Sequence, residues 1–220
     1  LKDQQSNQEV LLPTYLMETK LNPGDEASAF VYLDPDHGLI ATTVLPLAIV
    51  GEYALMRVLS NREFGAFFDW GLEKDLLVPG NEQKVKVQPN ENHIVRVCLE
   101  EDTNRVYGTT KLGKYIESTQ FDIKDKDKIS IVPAIKTELG YRVIINKKYI
   151  GMIYHNEIFT SLYIGEEYQG VVKKLRDDGL VDAALQVQGI KNLDQAKSTI
   201  LQMLKSSGGS SVLNDKSHPG

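Results

Sequence analysis

Four histidines and one cysteine are the residues of this 220-residue chain best suited to acid–base, nucleophilic or metal chemistry. His37, His93, His155 and His218 are scattered without metal-ligand spacing, and Cys98 lies in the apolar run IVRVCL with no partner motif beside it. The lone thiol cannot form an internal disulfide, and it reads as a buried side chain in a reducing, intracellular setting. His155 and Glu157 stand two residues apart and would share one face of a strand, a spacing too common to define an acid–base pair. Neither GxGxxG nor GxxxxGK followed by Ser or Thr occurs. No enzyme activity, metal or cofactor is therefore expected.

Recognition chemistry remains. The stretch FGAFFDWGLEKDLLVP (64–79) places four aromatics in its first seven residues, in a chain only 8% aromatic overall. Cations are concentrated elsewhere: residues 128–176 hold eight basic against four acidic side chains, net +4. Residues 1–50 are net −5, residues 51–112 net −2, and the whole chain −5. Bulk electrostatics would repel a polyanion from such a molecule, so any binding of one must be local.

The elements that would position these groups come from repetition. AFVYLDPDHGLIATTVLP (29–46) and VRVCLEEDTNRVYGTTKL (95–112) share two alternating runs, an acidic turn and a Thr-Thr pair, and VVKKLRDDGLVDAALQ (171–186) repeats the scheme loosely. Each predicts a β-hairpin. Upstream of each is a short apolar strand ending in a bend: EVLLPTYL, KDLLVPGN and IGMIYHNE. The second and third units have two further strands before that, EYALMRVLS with FGAFFDW, and KISIVPAIK with GYRVIIN. The predicted fold is mainly β, in tandem five-stranded OB-fold barrels, with the opening strands of the first unit missing. Residues 112–127 read as a polar linker. Residues 192–209 have apolar residues at helical spacing and read as the one long helix.

A strand, then Phe-Gly-Ala-Phe, then a third strand and a hairpin, resembles the RNA-binding repeat of ribosomal protein S-one. More of the chain resembles the conserved virulence factor B family of bacterial proteins: GAFFDWGLEKDLLVP with NEQKVKV, GYRVIINKKYIGMIYHNEIF, and VVKKLRDDGLVDAALQ. AKSTILQMLKSSGG with NDKSHPG resembles the first helix and turn of that family's winged helix. The resemblance implies a partial S-one-type domain over 1–48, a second over 49–112, a linker over 113–127, a third domain over 128–188 and the start of a truncated winged helix over 189–220. It also implies RNA binding and an effect on expression of virulence genes.

In S-one-type domains ligand crosses the second and third strands, where bases stack on aromatics and cations meet phosphates. Carried over, the aromatic pair is Phe64 and Phe67, and the third-strand ligand position falls on Val78 followed by Pro79. In the third unit the pair falls on Leu139 and Arg142, and the third-strand site on Tyr154 and His155. Together with the charge, this makes the third unit the expected site, through Tyr141, Arg142, Lys147, Lys148, Tyr154, His155, Lys173 and Lys174, with Phe64 or Phe67 assisting. The expected partner is single-stranded RNA, with DNA a weaker ligand, no membrane and no implied oligomeric state, in the cytoplasm. Phe67 reads as an RNA platform or as packing against a neighbouring barrel, Trp70 as a structural or inter-domain contact, and the lysines also as solvated edge charges. A protein-interaction scaffold that has kept the barrels and lost the ligand is the alternative function.

Overall fold

The computed structural model of the chain describes residues 1, 9–34, 38–158 and 160–186. The helix expected over 192–209 lies outside them. The described residues are mainly β, as the alternating runs require.

The third unit is a closed barrel. Strands β8 (Lys128–Lys136), β9 (Gly140–Ile145), β10 (Tyr149–Tyr154), β11 (Tyr168–Leu175) and β12 (Val181–Leu185) run in the order β10-β12-β11-β8-β9. The third and fifth strands close the barrel in parallel, with Gly151 opposite Val181. Gly151 is required there, because a Cβ on it would stand 2.3 Å from the Val181 carbonyl oxygen. Inward residues Ile129, Ile131, Val143, Ile145, Ile153 and Val172 fill the interior.

The second unit repeats the order in an open, curled sheet. It contains β3 (Tyr53–Arg62), β4 (Gly65–Phe68), β5 (Leu76–Pro79), β6 (Asn92–Glu100) and β7 (Arg105–Thr109), arranged β5-β4-β3-β6-β7. Its two end strands approach closely enough that a Cβ on Gly108 would meet Val78 and Leu76 side chains at 2.8 and 3.0 Å. Met56, Val58, Ala66, Phe68, Leu76, Val78, Val95 and Val97 form its core. The first unit has the hairpin β1 (Phe30–Asp34) and β2 (Gly38–Thr42), with Leu11 bridging Ile40 in parallel, the counterpart of the third-to-fifth-strand closure. A 3-10 turn follows the third strand in every unit: Thr14–Leu16, Gly80–Glu82 and His155–Glu157.

Two sets of contacts tie the units together. Trp70 is buried, donates its indole N–H to the Ala48 carbonyl at 2.7 Å, and meets Phe30 of the first unit edge-on at 5.6 Å. Between barrels two and three, Tyr53, Ile94, Leu112, Ala134, Ile144 and Ile150 make one apolar cluster. The segment read as a polar linker contributes to it. It contains α1 (Gly113–Glu117), and Leu112, Tyr115 and Ile116 sit on one side of that turn at i, i+3 and i+4.

Replacing Gly151 with Ala forces side-chain bulk into the β10–β12 seam. We expect a loss of about 1–3 kcal/mol, read as a lower urea midpoint. An unchanged midpoint would show that the seam has slack.

Candidate nucleic-acid interface

Strand parity decides which side chains can meet a ligand. In barrel two Ala66 pairs with Val78 and Phe68 with Leu76, and all four point inward. Phe67 pairs with Leu77 and Gly65 with Pro79, so these share the outer face. Val78, expected at the ligand position, is fully buried, and the outward residue is its neighbour Pro79. The difference is a register slip of one residue, which exchanges the two faces of a strand. The pairing of Gly140 with Tyr154 in barrel three matches that of Gly65 with Pro79, making Tyr154 and Pro79 counterparts.

The outer face of barrel two is open. Phe64 is 62% exposed and meets half-buried Phe67 edge-on at 5.9 Å. On β3, Ser60 stands opposite Phe67 and exposed Arg62 opposite Gly65. Two aromatic rings, a proline and a guanidinium thus line one surface. Gly65 lets the strands close beneath them, since a Cβ there would lie 2.6 Å from the Val78 carbonyl. The sequence offered no signal for Arg62 beyond its position at the strand end.

In barrel three the same positions hold other chemistry. Leu139 is exposed where barrel two has Phe64. Arg142 replaces Phe67 and is half-buried against barrel two, with its Nε–H buried and unpaired. Tyr141 points toward the barrel core and meets the His155 ring at 6.4 Å. Tyr154 donates to Asp182 at 3.3 Å and accepts from Arg176 at 3.4 Å. His155 is exposed at the start of the 3-10 turn.

The lysines divide. Lys147 and Lys148 lie in the β9–β10 turn, where Asn146 and Lys147 have φ of 48° and 58°, the left-handed pair of a tight hairpin. The Lys147 carbonyl accepts from the Tyr53 N–H, docking this turn on barrel two. Lys148 pairs with Asp122 at 2.7 Å, which raises the ammonium's pKa and lowers that of the carboxyl. Lys173 pairs with Glu157 at 3.2 Å, while Lys174 is exposed beside the β11 irregularity and makes no ion pair with a described residue. Phe64 and Phe67 are therefore together on one face. Tyr154, Lys173 and the 146–148 turn are each engaged by protein partners.

Between the two barrels is a groove of about 620 Å³, walled by the 82–85 segment, the start of α1, and Arg142 with Ile135 of barrel three. Behind α1, the Arg96 guanidinium lies between the rings of Tyr53 and Tyr115, 4.9 and 4.6 Å from their centres. Burial, then the hydrogen bond with Cys98, pushes the Tyr115 phenol up to about 12. Burial, then the neighbouring Cys98 and Tyr115, does the same for Tyr107, to about 12. No group of three or more metal-ligating side chains is present among the described residues.

A fold of tandem OB-type barrels with an open aromatic face defines a class of small-barrel proteins. The S1 domain family model matches residues 2–44, the first unit. The chain is similar to curated proteins called Conserved virulence factor B. One from Staphylococcus aureus is 24% identical over 210 residues, covering 92% of this chain and 70% of the relative. One from Staphylococcus haemolyticus is 25% identical over 209 residues, with the same coverage. A solved structure of a multidomain protein with nucleic acid binding domains from Streptococcus pneumoniae is 21% identical. It covers 98% of this chain and 79% of that one, with a TM-score of 0.43. The resemblance read from the sequence is the one these relatives show.

The raised phenols make the barrel junction sensitive to alkali. The folded state keeps protons that the unfolded state loses, so their stabilisation is complete below pH of about 10 and is lost as pH rises toward 12. The urea midpoint should fall across that window, and Tyr115→Phe should reduce the fall. A variant with the same decline as the parent would count against this assignment.

Proposed function

We propose that this chain binds single-stranded RNA on its barrel surfaces and acts on bacterial gene expression after transcription, including that of virulence genes, in the cytoplasm. The observation that carries this reading is the exposed Phe64–Phe67 pair with Pro79 and Arg62 on the outer face of strands two and three. Aromatic faces stack on any base, and a neighbouring guanidinium meets phosphate, so the surface suits a strand without requiring base-edge readout. The S1 domain match and the virulence factor B relatives support the same reading. DNA would bind the same surface more weakly. The chain functions here as a binder, with no reaction assigned to it: His155 faces Tyr141, and Glu157 is taken up by Lys173.

Within this reading the larger share of affinity falls to barrel two, with Tyr154, His155, Lys173 and Lys174 of barrel three secondary. Stacking is worth about 1–3 kcal/mol per base. Phe64→Ala with Phe67→Ala should therefore weaken oligouridylate binding by roughly tenfold or more. Tyr154→Ala with Lys173→Ala and Lys174→Ala should weaken it less. The reverse order, measured by fluorescence anisotropy, would return the site to barrel three. One observation favours a scaffold instead: Ile144 and Ile150, on the outer face of barrel three, are covered by packing against barrel two. A chain that binds neither oligouridylate nor oligoadenylate at low salt would be such a scaffold.

A further inference from the structure

The groove between barrels two and three has cations that the outer face of barrel two does not supply. Lys84 comes from the segment after the second 3-10 turn, Lys111 from the chain between β7 and α1, Lys114 from α1 and Arg142 from β9. Glu82 is the only carboxylate among the lining residues, so four fixed positive charges face one negative. The three lysines are exposed, and none of the four cations makes an ion pair with a described residue. Lys148, Lys173 and Arg176 of barrel three, by contrast, are each matched to a carboxylate.

Arg142 gives the second, independent indication. Its Nε–H is buried with no acceptor, the one such buried side-chain atom among the described residues. Buried donors are ordinarily paired, so Arg142 stands in the groove wall with hydrogen-bonding capacity that no described protein group takes up at Nε. The wall also presents Val85, Ile116 and Ile135, apolar surface suited to sugars and base faces rather than to a bare inorganic anion.

We propose that this groove holds the phosphate backbone of a single nucleic-acid strand, with Arg142 and the three lysines contacting successive phosphates. Barrel two then supplies the stacking face, and the junction of barrels two and three supplies the charge. The inference rests on the single-strand-binding reading above. It adds to the Arg62 contact an electrostatic surface that neither barrel has alone.

Salt dependence separates the two surfaces. Neutralised phosphates on a single strand each contribute about 0.7 to the slope of log affinity against log salt. Lys84→Gln with Lys111→Gln and Lys114→Gln should weaken oligouridylate binding and reduce that slope by roughly 2. Phe64→Ala with Phe67→Ala should weaken binding with the slope unchanged. The three lysines are surface residues, and a circular dichroism melt matching the parent confirms that the groove variant folds. A groove variant with parental affinity and slope, beside a weakened aromatic variant, overturns the groove and leaves the binding reading intact. A parent chain that fails to bind at the lowest salt sinks both. Poly-glutamate binding that the groove variant loses, with no competition from oligouridylate, would assign the groove to an acidic protein partner and overturn the proposal.

Discussion

The functional surface of this chain depends on the way barrel two is held against barrel three. A shared apolar cluster that includes Tyr53, Ile94, Ala134, Ile144 and Ile150 joins the two barrels, and the Arg96 guanidinium, over the rings of Tyr53 and Tyr115, holds α1 to barrel two beside it. The Tyr53 N–H donates to the Lys147 carbonyl across the same junction. A cation between two rings fixes direction as well as distance, because its attraction falls away when it leaves either face. With that junction fixed, α1 is trapped on one side and the groove is open on the other. Gly179 confirms how close the fit is: a Cβ there would fall 1.7 Å from the Ile116 carbonyl oxygen, at a φ of +80°.

Much of the fold was legible in the sequence because a strand repeats every two residues and a hairpin needs turn residues at its end. The three hairpins appear where DPDHG, EEDTN and RDDG predict them, and barrels two and three each have five strands in OB-fold order. Parity was harder. Aligning Val78 with Tyr154 by eye places Val78 outward, while the ladder pairs Val78 with Ala66 inside the barrel. Apolar side chains occur on both faces near an inter-barrel contact, so alternation alone does not say which face is the core. The segment 112–127 departs from the polar linker its composition predicts, for a related reason. Its charges dominate its composition, but Leu112, Tyr115 and Ile116 occupy one side of a single helical turn, a span too short to register as a periodic signal.

Charge summed along the sequence also differs from charge in space. The +4 of residues 128–176 includes Lys148, Lys173 and Arg176, whose charges face Asp122, Glu157 and Asp178. Lys84, Lys111 and Lys114 come from a net-negative unit and from the linker, yet the fold brings them together without carboxylate partners, apart from Glu82 among the groove's lining residues. Exposed ion pairs cost little to break, so the paired lysines still attract a polyanion, but each must first leave a partner. Lys84 and Lys111 have no ion-pair partner among the described residues to leave, and Lys114 leaves only the face of the Tyr115 ring, 4.8 Å from its ammonium.

Trp70 has a consequence for the order in which the chain can be built. The small core of the first unit, Leu16, Tyr32 and Ile40, is completed by Phe30 and by Leu72, and Phe30 in turn rests on Trp70. A ribosome makes the hairpin of residues 30–42 well before it makes residues 70–72. During synthesis, then, Phe30 and the core beneath the hairpin gain their contacts with Trp70 and Leu72 only once residues 70–72 have been made.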